Sequence, residues 1–99
     1  MNYKSLSIVV PCHNEEEVIP ESYSTLRKIV SKIKRIEKYQ FVFVNNGSDD
    51  DTLNVLLNLK ENDSNVKIID LRNNYGYQGS ITAGLYKSDY DMIISIDAD

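Results

Sequence analysis

Short apolar runs alternate along this chain with longer stretches in which apolar residues return every three or four positions. Leu6, Ile8, Val9 and Val10 form the first run, and Pro11 is expected to stop it. Ile19, Tyr23, Leu26, Ile29, Val30 and Ile33 follow at helical spacing, with Pro20 near the start, where a missing N–H does little harm. Phe41 to Val44 reads as a second strand, closed by the turn signal Asn45-Asn46-Gly47-Ser48. Leu53, Leu56, Leu57 and Lys60 mark a second helix, with Asp51 or Thr52 as its N-cap. Val66 to Leu71 is a third strand. Tyr77 to Ser88 is a third helix, with Ile81 and Leu85 facing inward, and Met92 to Ile96 is a fourth strand.

Nearly continuous apolar strands joined by helices predict a parallel sheet covered on both faces, an α/β fold in three layers, α/β/α. Right-handed crossovers favour a doubly wound sheet. The expected strand order is 3-2-1-4, with the switch point between strands 1 and 4. No linker, repeat or low-complexity stretch interrupts the chain, so residues 1–99 read as a single domain.

Composition narrows the function. The chain is 41% hydrophobic and 26% charged, with a net charge of −4. No block of Lys and Arg stands out, which argues against a nucleic-acid surface. Cys12 is the one cysteine, so no intrachain disulfide can form, and a reducing, cytoplasmic setting is expected. The first apolar run is too short for a signal-peptide core, and nothing approaches the roughly 20 apolar residues of a membrane span.

In doubly wound sheets, ligands bind beyond the carboxyl ends of the strands, near the switch point. Polar residues collect at each such end: Pro11-Cys12-His13-Asn14-Glu15, Asn45-Asn46-Gly47-Ser48-Asp49, Arg72-Asn73-Asn74-Tyr75-Gly76 and Asp97-Ala98-Asp99. An Asp-x-Asp pattern occurs three times, and placement separates the copies. Asp89 and Asp91 precede strand 4 and belong to the opposite rim. Asp49 and Asp51 lead into a helix, where a carboxylate complements the dipole. Asp97 and Asp99 alone follow a buried strand at the ligand rim, and their hard oxygens suit Mg²⁺ or Mn²⁺. Arg72 is the one cation expected at that rim, able to hold a phosphate or a base carbonyl. Gly76 and Gly79 permit close backbone approach. Cys12 reads as a small packing residue, and Tyr75 and Tyr77 as partly buried residues that need no function.

Pro11-Cys12-His13-Asn14-Glu15-Glu16 resembles the Pro-x-(Tyr/His)-Asn-Glu segment of family 2 glycosyltransferases. Phe43 to Thr52 resembles their Val-Asp-Asp-Gly-Ser-x-Asp-x-Thr segment, and Asp97-Ala98-Asp99 resembles their Asp-x-Asp. Arg72 to Gly79, continuing to Ala83-Gly84-Leu85, is similar to the branch of polyprenyl- and dolichyl-phosphate sugar synthases. The resemblance implies the N-terminal, nucleotide-binding half of a GT-A fold, a UDP- or GDP-sugar donor, and inversion at the anomeric carbon. It implies that Pro11, His13 and Glu15 contact the nucleoside, that Asn45 or Asn46 reads the base edge or ribose, and that Arg72 holds the base or phosphate. Asp97 and Asp99 would meet the ribose and a metal-bound diphosphate.

Two departures matter. The family's common Asp-Asp is Asn45-Asn46 here, so hydrogen bonding remains but the charge is gone. The family also continues well past the Asp-x-Asp, with an acceptor site, a catalytic base and, in this branch, C-terminal membrane helices. The chain is therefore expected to be a truncated part that does not transfer sugar by itself, and whose intact form associates with membrane. The outer edge of strand 4 is expected to pair with a second copy.

Other classes fit less well. No Gly-x-Gly-x-x-Gly follows strand 1, as a dinucleotide-binding dehydrogenase needs, and no Gly-x-x-x-x-Gly-Lys marks a phosphate loop. A receiver domain would place acids where Cys12-His13 and Leu71-Arg72 stand. A nucleotidyltransferase, the nearest enzymatic rival, would carry a Gly-rich basic loop after strand 1. A nucleotide-binding or oligomerising module without catalysis is the non-enzymatic alternative.

Overall fold

The computed structural model describes residues 4–88 and 90–98. The elements run β1 (Ser5–Cys12), α1 (Ile19–Ser31), β2 (Lys38–Asn46), α2 (Thr52–Asn62), β3 (Val66–Leu71), α3 (Gly76–Lys87) and β4 (Met92–Ser95). The strands form one parallel sheet in the order β3-β2-β1-β4. The expected order and layering are both present.

Alternation along the strands divides the core in two. Leu6, Ile8, Val10 and Cys12 of β1 and Phe41 and Phe43 of β2 face α1 and α2, where they meet Ile19, Leu26, Val30 and Leu56. Val9, Val42 and Val44 face the other way and pack with Ile69, Leu71, Ile81 and Ala83, beneath α3. Successive strand residues point to opposite faces, so both sides of β1 and β2 must be apolar. That explains why these strands read as continuous apolar runs.

Several expectations shift in the structure. Pro11 does not stop β1, because it stays in register with Val44 and Cys12 with Asn45. Val9 accepts a hydrogen bond from the Ile96 N–H on the β4 side, and Pro11, two residues on, turns its backbone to that same side. Pairing with β4 ends at Val9↔Ser95, so the missing N–H of proline interrupts no ladder. β2 likewise extends through Asn45 and Asn46, which are buried, and the turn begins at Gly47 with φ +63°.

Some predicted inward positions face out: Ile29 is 50% exposed, and Leu57 and Leu85 are each 45% exposed. In α3 the buried residues are Ser80 and Gly84, one turn apart. A Cβ at Gly84 would lie 2.3 Å from Val9 Cγ1, so the helix rests on β1 through a position without a side chain. Leu85, about 100° further round, is carried to the surface. β4 is also less covered than expected: Met92 and Ile93 are half-buried, while Ile94 and Ser95 are exposed. Among the described residues no strand pairs with its outer edge, and no helix is long and apolar enough to cross a membrane.

Candidate functional site

The carboxyl ends of β1 and β2 are joined by a set of loop-to-loop hydrogen bonds. Asn14 adopts φ +53°, a left-handed conformation that Asn tolerates better than most residues. Its N–H donates to Ser48 Oγ at 3.0 Å, and its Oδ1 accepts the N–H groups of Asp49 (2.7 Å) and Asp50 (3.3 Å). The Glu15 N–H donates to Thr52 Oγ1 at 3.0 Å, and the Glu16 N–H to Asp50 Oδ2 at 3.3 Å. Asp50 also accepts from the N–H and hydroxyl of Thr52, which organises the entry into α2. Burial pushes the Asp50 carboxyl up. The hydrogen bonds from Thr52 and Glu16 outweigh that and hold it below its ordinary range. The Asn-Glu and Ser-x-Asp-x-Thr stretches thus fasten one loop to the other.

Beside this joint lies an open hollow of about 320 Å³, walled by Pro11, His13, Glu15, Asn46, Tyr77 and Asp97 among others. It sits at the carboxyl ends of β1 and β4, under the start of α3, where the switch point of the sheet was expected to place a ligand. His13 Nδ1 lies 2.8 Å from the Asn46 carbonyl oxygen. A carbonyl only accepts, so Nδ1 carries a proton and donates it there, while Nε2 lies 3.4 Å from Asn14 Nδ2. Glu15 reaches the same region, and its charge adds to burial in raising the Cys12 thiol to about 12. Cys12 is therefore a protonated packing residue, as its sequence context indicates.

Asp97 comes to the hollow beside Tyr77. Interaction with the nearby Asp97 carboxylate is the main cause raising the Tyr77 hydroxyl above its ordinary value, and desolvation adds to it. The segment after β4 is held down by Ser22 of α1, whose hydroxyl donates to the Ala98 carbonyl. Asp99 lies outside the described residues, and of the Asp-x-Asp segment Asp97 and Ala98 line the hollow. Among the described residues no cluster of three or more His, Cys, Asp or Glu is arranged to hold a metal. The donor set still fits a hard cation of the magnesium type, which commonly takes one or two carboxylates and completes its shell with substrate phosphates and water. The other Asp-x-Asp copies are accounted for locally. Asp49–Asp51 belongs to the loop joint, and Asp91 bonds Lys4 and Ser5 at the opposite rim; Asp89 lies outside the described residues.

Asn45 and Arg72 are not in this hollow. With Asp70, Ser48 and Asn54 they line a separate polar depression of about 370 Å³ on the α2 side. Once β2 runs through Asn46, alternation sends Asn45 and Asn46 to opposite faces. Asn45 Nδ2 donates to Asp70 Oδ1 at 2.9 Å, while its own Oδ1 is buried without a hydrogen-bond partner. Tyr75 and Tyr77 are 61% and 54% exposed, not partly buried as expected. Tyr77 and Asn74 are site residues that the sequence reading passed over. Their only signal was position: the last loop before α3 and its first turn stand at the ligand rim.

A parallel sheet of order 3-2-1-4 between two helical layers, with a polar hollow at the ends of β1 and β4, defines the nucleotide-sugar half of a GT-A type glycosyltransferase fold. The chain belongs to glycosyltransferase family 2: the family model described as "Glycosyl transferase family 2" matches residues 7–99. It is 44% identical over 93 residues to an uncharacterized glycosyltransferase, YkcC, of Bacillus subtilis (strain 168), covering 94% of this chain and 28% of that protein. It is 35% identical to the undecaprenyl-phosphate 4-deoxy-4-formamido-L-arabinose transferase of Proteus mirabilis, covering 95% of this chain and 28% of that protein. Among solved structures it is similar to S. aureus TarS 1-349 in complex with UDP-GlcNAc, at TM-score 0.81 and 25% identity, covering 96% of this chain and 26% of that one. The fold is also that of the mannosyltransferase PcManGT from Pyrobaculum calidifontis, crystallised with GDP-Man and Mn²⁺, at TM-score 0.81 and 18% identity over 95% of this chain and 27% of that one. The chain spans less than a third of the length of the relatives it matches.

Proposed function

We propose that this chain forms the donor-binding part of an inverting, metal-dependent glycosyltransferase that uses a UDP- or GDP-sugar. The observation that carries the reading is the convergence of Pro11, His13, Glu15 and Asp97 on one hollow at the switch point of the sheet. In it, Pro11 and His13 flank the nucleoside. His13 offers a flat ring, and Glu15 stands within reach of ribose hydroxyls. Asp97, together with Asp99, would hold Mg²⁺ or Mn²⁺, whose chemistry would be to neutralise charge on the departing nucleotide. Tyr77 lines the same hollow as Asp97. Asn45 and Arg72, which line the separate depression on the α2 side, are left out of this contact set. A polyprenyl phosphate is the proposed acceptor, supported by the resemblance to synthases of that class and by the named activity of the Proteus mirabilis relative.

An inverting displacement needs a base to take the acceptor proton, and no described residue is placed for that role. The 99-residue chain is accordingly proposed to bind donor without turning it over. Titration with UDP and GDP, with and without Mn²⁺, tests the reading. Binding that strengthens with Mn²⁺ and weakens in Asp97→Ala supports it. Failure of both nucleotides to bind at millimolar concentration removes it.

A further inference from the structure

Asn46 is the residue at which the two ends of the site meet, and its chemistry is unusually complete. Its side chain is 5% exposed. Nδ2 donates both of its hydrogens, to Asn74 Oδ1 at 3.0 Å and to the Gly76 carbonyl at 3.0 Å. Oδ1 accepts the Tyr75 N–H at 3.0 Å. Asn74 Oδ1 in turn accepts the Gly76 N–H at 2.8 Å, closing the loop before α3 on itself. The Asn46 backbone carbonyl takes the His13 Nδ1–H on the other side. Next to it, Gly47 makes room for the same loop, since a Cβ there would lie 2.4 Å from Asn73 C and Asn74 N.

We propose that Asn46 is a positioning residue: its amide clamps the Asn74–Gly76 loop that walls the hollow, instead of reading the base. This rests on the donor-site reading for its functional meaning, but the clamp itself is a property of the chain without ligand. A base reader needs free donors or acceptors facing the ligand, and here both donors are spent on the loop. The amide is also the complement of this loop in particular. Two loop acceptors and one loop donor face it, and a carboxylate can satisfy only the donor. The aspartate common at this position in the resembled family would set its oxygens against the Gly76 carbonyl and Asn74 Oδ1.

Amide hydrogen exchange on the nucleotide-free chain, followed by UDP and GDP titrations with Mn²⁺, tests this in Asn46→Asp, Asn74→Ala and Asn74→Asp. Asn74 is exposed, so its variants leave the core intact even if Asn46→Asp does not fold. In Asn46→Asp the carboxylate still accepts the Tyr75 N–H but opposes Asn74 Oδ1 and the Gly76 carbonyl, so exchange is expected to rise about tenfold or more at Gly76, as it is in Asn74→Ala, with β1 and β2 amides unchanged. Asn74→Asp keeps both acceptor roles and is expected to retain the wild-type protection. UDP and GDP should weaken by the same factor, so that their ratio is preserved. Unchanged protection at Gly76 in Asn46→Asp, or in Asn74→Ala where Asn46→Asp fails to fold, overturns the proposal. So does a shifted UDP-to-GDP ratio with the loop still protected, which would make Asn46 a direct reader. If the wild type binds neither nucleotide, the donor-site reading fails while the exchange data still decide the clamp.

Discussion

Asn14 Oδ1 accepts the Asp49 N–H at 2.7 Å, and this bond, with the Asn14 N–H to Ser48 Oγ, locks the end of β1 to the end of β2. The bond depends on a backbone that few residues adopt, φ +53°. Asn14→Ala loses the hydrogen bonds and strains the left-handed conformation, at a cost of about 2–3 kcal/mol. Asn14→Gly loses the side-chain bonds but relieves the strain. Chemical denaturation should therefore rank wild type above Asn14→Gly, and Asn14→Gly above Asn14→Ala. Equal stability of Gly and Ala variants would show that the backbone conformation costs nothing there.

Acid should loosen the same joint. Asp50 titrates below its ordinary value of 3.8 in the folded chain because Thr52 and Glu16 donate to it. A carboxyl whose folded pKa is depressed stabilises the fold above its unfolded pKa. That contribution disappears as the pH falls through the folded value. Unfolding followed from pH 7 down to below 4 should show a loss of stability that Asp50→Asn, already deprived of the charge, does not share to the same extent. Parallel curves for the two proteins would remove Asp50 from the account.

Gly84 leaves no space for a side chain, with Val9 Cγ1 2.3 Å from where its Cβ would lie. Gly84→Ala gains helix propensity of about 1 kcal/mol. Overpacking between α3 and β1 costs about 1–3 kcal/mol and opposes it. We expect net destabilisation, read as a lowered thermal midpoint, and partial recovery when Val9→Ala is combined with it. A more stable Gly84→Ala would mean that α3 can lift from β1 without penalty.

Among the described residues no strand pairs with the outer edge of β4, which carries the side chain of Ile94, 39% exposed. Edges of this kind pair with another copy unless a charge or proline prevents it. The 99-residue chain is expected to elute as a dimer or larger species whose population rises with concentration, and Ile94→Lys to shift it toward monomer. A wild-type monomer at high concentration would rule out edge pairing.

The order of elements was legible in the sequence because it follows from periodicity. Runs such as Ile8–Val10 and Phe41–Val44 must be buried on both faces, and the spacing of Ile19, Leu26 and Val30 admits only a helix with one inward face. The rim was legible too, since polar residues recur at four successive strand ends. Strand ends and helix rotations were not. Pro11 and Asn45-Asn46 look like terminators in one dimension, but β2 supplies β1 with a partner through Cys12, and β3 supplies β2 with one through Asn46.

That extension is what only the tertiary structure decided about the site. It turns Asn46 toward Asn74 and Gly76, and Asn45 toward Asp70, so two neighbouring residues of one motif serve different faces. Arg72 lines the depression on the α2 side, while Tyr77 shares the hollow with Asp97, twenty residues along the chain. Local pattern determines which residues are apolar, polar or helical, because those properties depend on near neighbours. Which side chains meet depends on groups brought from far along the chain, as Asn46 meets Asn74, and on where a parallel partner stops.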